Sequence, residues 1–483
     1  MSARLSQLVR RDLEVDPLIA GVTADSRKVR PGFLFAALPG SKVDGRDLIA
    51  GALQAGAAAV LTADDVAGVS APVIRALDVR RAYALAAGAF YGAQPPVCVA
   101  VTGTNGKTSV AGFCRQIFDR LGQKAASMGT LGVALSPRAG GEQLTPPGLT
   151  TPDAADVAER LADLAARGVT HLAMEASSHG IDQRRLDGVH LTAAGFLNLT
   201  LDHLDYHGSL QAYRSAKLRL FETLLPRGRT AVLNADCEAF PAFAGAAVSS
   251  GQSVLSVGEA GEGIRLVQRR PTAEGQRLTL SAFGQVFETL LPLAGDFQAA
   301  NALAAAGLCI AAGAAPGEAL AAFEHLQGAP GRLQRIGSGS RGGEAYVDYA
   351  HTPDGLSTVL AALRPHAKGR LIVVFGAGGD RDRTKRPLMG AAAVQGADLA
   401  IVTDDNPRSE DPAAIRAAIL AAAPGAREIG DRREAIFAAA SELRAGDVLV
   451  VAGKGHEQGQ IVGGQVLPFD DAAETAAALA EGA

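Results

Sequence analysis

A chain of 483 residues is too long for one ordinary hydrophobic core, so roughly two to four domains are expected. Its 48% hydrophobic and 20% charged residues are the balance of a globular protein that folds in water. A net charge of −4 gives no basic field for nucleic acid or an anionic membrane, so an anionic ligand must be held by local donors. The stretch Met1 to Arg11 lacks the apolar run of a signal peptide. No later segment offers about 20 uninterrupted apolar residues. Cys98, Cys114, Cys237 and Cys309 lie far apart and form no CxxC pair, which suits a reducing cytosol better than a disulfide or zinc framework. A cytoplasmic protein is expected, with no nucleic-acid partner and no membrane insertion.

Short apolar runs alternate with helical patterns along the chain, the signature of α/β architecture with largely parallel sheets. Three blocks are expected, at residues 1–95, 96–328 and 329–483. The first carries Ala24-Asp25-Ser26-Arg27 and the loop Ser41-Lys42-Val43, and it closes in the turn-rich Tyr91-Gly92-Ala93-Gln94-Pro95-Pro96. The second opens with Val97–Val101, an apolar run suited to a buried strand. It leads into Thr102-Gly103-Thr104-Asn105-Gly106-Lys107-Thr108-Ser109, and Val110–Leu121 then has helical spacing.

Strand, glycine loop, Lys-Thr and helix are together the recipe for cradling a nucleotide's phosphates. Glycines let backbone N–H groups approach the oxygens, and Lys107 supplies a cation. The helix N-terminus adds positive partial charge, and the Thr108 hydroxyl can ligate magnesium. Val101 stands where the usual first glycine belongs, so the match is imperfect. A glycine turn with an incidental lysine is the bland alternative, and the flanking strand and helix weigh against it.

Further along, Thr150-Thr151-Pro152 precedes a helical stretch, Asp153–Ala166, and could cap it. Glu175 ends the apolar run of His171-Leu172-Ala173-Met174-Glu175, where strand C-termini of an α/β sheet face the ligand crevice. It could complete a magnesium shell or merely cap the next turn. Asn198-Leu199-Thr200-Leu201-Asp202-His203-Leu204-Asp205-Tyr206-His207 follows the apolar Ala193–Leu197, and Lys217 lies on an expected helix ten residues past His207. Spacing alone does not say which of these binds metal, and a lone helical lysine is ordinarily an exposed charge. A second boundary falls near Gln327-Gly328-Ala329-Pro330-Gly331. Beyond it Arg370–Phe375, Leu399–Val402 and Val448–Val451 read as buried strands of a dinucleotide-fold-like domain. The glycine-rich Gly376-Ala377-Gly378-Gly379 does not follow GxGxxG.

The motifs TGTNGKTS, EASSHG, DHLDYHGS with AYRSAK, VDYAHTPDG, DNPR and GKGHE resemble the Mur ligase family, in that family's order and over almost the whole chain. The resemblance implies an N-terminal UDP-binding α/β domain, a central ATPase domain with a parallel sheet, and a C-terminal Rossmann-like domain that binds an amino acid. It implies ATP contacts at Gly103, Thr104, Asn105, Gly106, Lys107, Thr108, Ser109, Asn301, Arg332, Asp348 and His351. It places UDP-muramoyl-dipeptide contacts at Ala24, Ser26, Ser41, Lys42, Val43, Thr150, Thr151, Ser177, Gln183 and Arg185. Magnesium ions would be held by Thr108 and Glu175 and by His203 and a carbamylated Lys217, with Lys107, Lys217 and His203 serving catalysis.

The DNPR motif is that of the family's diaminopimelate-adding members, and lysine-adding relatives generally lack its arginine. It implies an amino-acid pocket of Arg386, Asp405, Asn406, Pro407, Arg408, Gly453 and Glu457. Chemistry agrees, because meso-diaminopimelate differs from lysine by a distal carboxylate that an arginine can pair bidentately. Asn406 could orient the amino acid through its amide, although DNPR is also a good turn sequence. A monomer is expected. The rivals are a lysine-adding ligase, a folylpolyglutamate synthetase that shares the ATP core, and a nucleotide-binding regulatory switch.

Overall fold

The computed structural model describes residues 2–481 except 41, 42, 65, 67, 146, 147, 201, 273 and 274. The chain forms two compact units, Met1–Arg265 with Leu303–Ala319, and Leu266–Ala302 with Leu320–Ala483.

The first unit begins with a parallel sheet in the order Gly21–Thr23, Phe33–Ala36, Ala59–Thr62, Val73–Arg75. Successive side chains on a strand point to opposite faces. Leu34 and Leu61 therefore pack towards Tyr83 and Phe90 of the helix Val79–Tyr91, while Phe35 and Val60 pack towards Ile49 and Ala52. Both faces are buried, as parallel sheets require.

A larger sheet follows, in which Val97–Thr102 runs parallel between His171–Glu175 and Ala193–Phe196. Ala125–Gly129 lies beyond the former, and Thr230–Asn234 then Ser253–Gly258 lie beyond the latter. The expected strand Val97–Val101 is one residue longer. The expected helix Val110–Leu121 instead spans Lys107–Arg120, because Gly106, at φ +88°, turns the chain directly into it. The helix Ala154–Ala166 is capped by Asp153, which accepts from the Ala155 N–H at 3.1 Å. Thr150 and Thr151 do not cap it, contrary to one sequence expectation. The same Asp153 oxygen accepts from the Tyr83 hydroxyl at 2.5 Å, so one carboxylate links the N-terminal sheet's helix to the central sheet's.

The second unit holds an antiparallel hairpin, Gly275–Ala282 with Gln285–Leu291, and a sheet in the order Gln334–Ser338, Glu344–Asp348, Val448–Ala452, Leu371–Phe375, Leu399–Val402, Arg427–Glu428. All but the first pairing are parallel. Tyr346, Val373, Phe375 and Val450 feed one core and Val347, Ile372, Val374 and Val451 the other. Glu175 and Asp348 end parallel strands of their sheets, and the loop Gly103–Gly106 follows another, where open α/β sheets place their ligands.

Candidate functional site

The loop Gly103–Gly106 is pinned by Asn198. Its Oδ1 accepts from the N–H groups of Thr104 (3.0 Å) and Asn105 (2.9 Å), and its amide nitrogen donates to the Asn105 carbonyl at 3.2 Å. Lys107 Nζ donates to the carbonyls of Gly103 and Thr104, each at 2.8 Å. Lys217, on the helix Leu210–Arg219, is 1% exposed, against the ordinary expectation for a helical lysine. Its Nζ donates to the same Gly103 carbonyl at 2.8 Å and lies 4.3 Å from the centroid of the Tyr213 ring. Burial pushes its pKa well down, and the Lys107 charge adds to the effect while Asp202 opposes it.

Glu175 ends its strand as expected and is 2% exposed. It does not cap the following turn, because Ser177 does so by accepting from the Gly180 N–H. The Glu175 carboxylate accepts from the Thr130 N–H (2.9 Å), the Thr130 hydroxyl (3.3 Å) and the Thr108 hydroxyl. Any Cβ on Gly129 would collide with this carboxylate, so the glycine is what leaves it room. Burial raises the pKa of Glu175, opposed first by Lys107. A buried carboxylate bonded to Thr108, at the head of the loop's helix, is an oxygen-rich donor set that suits magnesium. His203 adopts a left-handed backbone, φ +52°. Its Nε2 lies 3.4 Å from the Asp202 carboxylate, and its ring packs edge-on to His179.

Thr151, Ser177, Gln183 and Arg185 form one network. The Thr151 hydroxyl donates to the Glu175 carbonyl at 3.1 Å and accepts from the Ser177 N–H and hydroxyl. Arg185 donates to the Thr151 carbonyl (2.6 Å) and to Gln183 Oε1 (2.7 Å). Thr150 joins through the Thr130 hydroxyl at 2.9 Å. The Ala24 backbone bonds to the Tyr83 hydroxyl, and Ser26 opens the turn Ser26–Lys28. Val43 is exposed. Ser41 and Lys42 lie outside the described residues. Among the described residues, no hydrogen bond joins Ser26 or Val43 to the Thr151 network.

In the second unit, Asp348 accepts from the N–H groups of Leu333 and Ala350, both at 2.7 Å. Burial raises its pKa. Arg332 lies 4.8 Å from the centroid of the Tyr349 ring, and His351 Nδ1 bonds to the Tyr349 carbonyl at 2.8 Å. The Asn301 amide donates to Gln298 at 3.3 Å.

The glycine turn after Leu371–Phe375 has a steric purpose. A Cβ on Gly376 would strike the Thr403 carbonyl, and one on Gly379 the Pro407 carbonyl, so these glycines let the Asp405–Arg408 loop lie against the turn. Arg408 has a left-handed backbone, φ +53°. Its N–H donates to the Ile461 carbonyl at 3.0 Å, and its guanidinium donates to the Gly379 carbonyl at 2.8 Å. Two of these side chains already have partners within the chain. The Asn406 amide is already engaged: Oδ1 accepts from Lys454 Nζ (3.0 Å) and the Ile461 N–H (2.9 Å), and Nδ2 donates to Glu457 at 2.9 Å. Arg386, 4% exposed, already grips a carboxylate of its own chain, Glu410, at 2.9 and 3.1 Å.

Sequence reasoning missed Thr130, Glu410 and Lys454 and gave Asn198 no role. Lys454 stood inside GKGHE without being singled out. The pairings of Thr130 with Glu175 and of Glu410 with Arg386 join segments 45 and 24 residues apart, and no local spacing reports them.

Comparison with known proteins gives the chain's relatives. The Mur ligase family catalytic domain matches residues 18–91, the Mur ligase middle domain 101–309, and the Mur ligase glutamate ligase domain 331–455. A UDP-N-acetylmuramoyl-L-alanyl-D-glutamate–2,6-diaminopimelate ligase of Caulobacter vibrioides is 70% identical, over 99% of each chain. One of Bradyrhizobium diazoefficiens is 52% identical, also over 99% of each. A solved structure of a ligase of that name superposes with a TM-score of 0.78 at 34% identity, covering 100% of this chain and 99% of the other. The MurF ligase of Thermotoga maritima in complex with ADP shares the fold, with a TM-score of 0.60 at 17% identity over 95% of this chain and 96% of that one.

Proposed function

The chain belongs to the Mur ligase family, and we propose that it joins meso-2,6-diaminopimelate to the D-glutamate of UDP-N-acetylmuramoyl-L-alanyl-D-glutamate, consuming ATP. The observation that carries the reading is the 70% identity to a diaminopimelate ligase over essentially the full length, coupled with a phosphate loop built around Lys107. The setting is the cytoplasm, in keeping with the widely separated cysteines; among the described residues no helix is long and apolar enough to cross a membrane. The active form is a monomer of three domains, 1–95, 96–328 and 329–483.

The chemistry needs a leaving group, because a carboxylate is a poor electrophile. A D-glutamate carboxylate oxygen attacks the γ-phosphorus of ATP, the bond to ADP breaks, and an acyl phosphate results. The diaminopimelate amine then attacks the acyl carbon. Phosphate departs with the electron pair of the broken C–O bond, and the amine loses one proton to the medium. Catalysis is mainly positioning and charge neutralisation. Gly103–Ser109 cradle the phosphates, and Lys107 turns from its loop carbonyls to the transferred group. Asn301, Arg332, Asp348 and His351 contact the nucleotide. Ala24, Ser26, Ser41, Lys42, Val43, Thr150, Thr151, Ser177, Gln183 and Arg185 bind the UDP-muramoyl dipeptide. Thr108 and Glu175, and His203 with Lys217, would hold magnesium, which would supply positive charge against the phosphates.

Lys217 is carbamylated in the working enzyme. Attack on CO2 requires a neutral amine, and burial beside Lys107 favours that form. The nitrogen forms a bond to carbon and releases one proton to the medium, and the product is an anionic oxygen donor, the kind of ligand magnesium prefers.

Arg408 selects diaminopimelate over lysine through the distal carboxylate, with Arg386, Asp405, Asn406, Pro407, Gly453 and Glu457 around it. Asn406 and Arg386 act by holding Glu457 and Glu410 in place as much as by touching substrate. Phosphate release tests the reaction class. Sustained turnover should need ATP, the muramoyl dipeptide and diaminopimelate together. Steady ATP hydrolysis without either acceptor would instead favour a nucleotide switch.

A further inference from the structure

The loops proposed to bind diaminopimelate, 404–408 and 453–457, are joined underneath by one fully buried guanidinium. Arg432, the first residue of the helix Arg432–Ser441, and Asp471, the first residue of the helix Asp471–Glu481, form a bidentate pair at 2.7 and 2.7 Å. Both side chains are 0% exposed. The remaining donors of Arg432 reach two carbonyls, that of Ala452 at 3.0 Å and that of Asp404 at 3.4 Å. Ala452 immediately precedes Gly453, and Asp404 immediately precedes Asp405. One cation therefore holds the root of each loop.

Above this pair lies a second buried cation. Lys454, also 0% exposed, donates to Asn406 at 3.0 Å and to Glu457 at 3.2 Å, and lies 3.7 Å from Asp405. Asp405 and Glu457 also act electrostatically on Arg432. Charge thus alternates from Asp471 through Arg432 to Asp405 and Glu457 and then to Lys454, whose ammonium also meets the Asn406 amide. Stability alone is a weak reason for such an arrangement, since a well-packed apolar pair often serves as well as a buried ion pair or better. An apolar pair cannot, however, donate to carbonyls on two loops at once.

We infer that Arg432 and Asp471 are positioning residues for amino-acid recognition. They fix the spacing between the loop bearing Asn406 and Arg408 and the loop bearing Glu457, and so set how well a second carboxylate is recognised. Neither touches substrate. The inference rests on the reading that these loops form the diaminopimelate pocket.

The test uses the full-length enzyme and three variants: Arg432→Lys, the apolar double variant Arg432→Met with Asp471→Leu, and Arg408→Ala as a control on the pocket. KM and kcat are measured for diaminopimelate, lysine, ATP and the muramoyl dipeptide, with the melting temperature alongside. The double variant should raise the KM for diaminopimelate by about 10- to 100-fold, the range for supporting residues around a binding site. Preference over lysine should fall with it, while KM for ATP and for the dipeptide and the melting temperature stay near the parent's. Arg432→Lys, which keeps the charge but loses the fork, should shift KM in the same direction.

A folded double variant with parental KM and preference would overturn the inference. So would loss of the fold in both Arg432 variants, which would make the pair a stability element. Failure of Arg408→Ala to change diaminopimelate KM or preference would instead sink the pocket assignment itself.

Discussion

Lys107 and Lys217 converge on one acceptor: each ammonium lies 2.8 Å from the Gly103 carbonyl. Two cations at one oxygen disfavour each other's charge, and Lys217, the buried one, is pushed well towards its neutral form. Between its depressed pKa and the ordinary 10.5, the unfolded chain binds a proton that the folded chain does not. Stability in CO2-free buffer should therefore rise with pH through that window. Lys217→Met, neutral in both states, should flatten the slope, as read from urea midpoints across pH. A parental slope in the variant would mean that Lys217 is charged in the folded protein.

Carbamylation adds a second consequence. Depleting bicarbonate should lower turnover, most strongly at the acid end, where fewer amines are neutral, and adding it back should restore activity. An intact mass lacking the carboxyl group under saturating bicarbonate, in fully active enzyme, would refute the modification.

Glu175 presents the opposite sign. Burial raises its pKa above the ordinary 4.5. Between these values the native state holds a proton that the unfolded state does not, so its contribution to stability declines as pH rises through that window. Glu175→Gln should thus be more stable than the parent near neutral pH, by about 2–4 °C in Tm for each kcal/mol relieved. Magnesium-dependent ligation should fall by at least about 100-fold, the loss of roughly 3 kcal/mol of charge stabilisation. A variant that kept turnover would remove Glu175 from the metal site.

Much of this was legible in the chain and some was not. The strand Val97–Thr102, the helix from Lys107 and the strand-end position of Glu175 follow from apolar runs and glycine placement, which are local signals. The burial of Lys217 is not local. It depends on Tyr213 beneath the amine and on a loop more than 100 residues earlier. The cap of Ala154–Ala166 is ambiguous in the sequence, because Asp153 and Thr151 are both good capping residues. Tertiary contacts decided it: Thr151 is taken by Ser177 and the Glu175 carbonyl.

Asp153 also gives a stability prediction free of catalysis. Asp153→Ala removes the helix cap and the acceptor of the Tyr83 hydroxyl, which keeps its bond from the Ala24 backbone. It should cost about 0.5–2 kcal/mol for the cap, plus about 1.5–3 kcal/mol for the lost hydrogen bond to a carboxylate. KM for ATP should be unchanged. Chemical denaturation of the variant checks both parts, and a cost below 0.5 kcal/mol would show that the link between the two helices is immaterial.

Arg408→Ala removes the proposed partner of the distal carboxylate. Loss of a charge-paired, hydrogen-bonded contact costs about 2–5 kcal/mol, so kcat/KM for diaminopimelate should fall at least about 30-fold, with lysine far less affected. Equal losses for both amino acids would leave Arg408 with a general structural role.

The most direct measurement is an amino-acid panel. The protein, ATP, magnesium and UDP-N-acetylmuramoyl-L-alanyl-D-glutamate are incubated with meso-diaminopimelate, lysine and ornithine separately, and the nucleotide product is weighed by mass spectrometry. The account predicts an amide product heavier by one diaminopimelate residue, formed with ADP and phosphate, and little or no product from lysine or ornithine. A lysine adduct formed as readily, or ATP hydrolysis with no amide product from any amino acid, would contradict it.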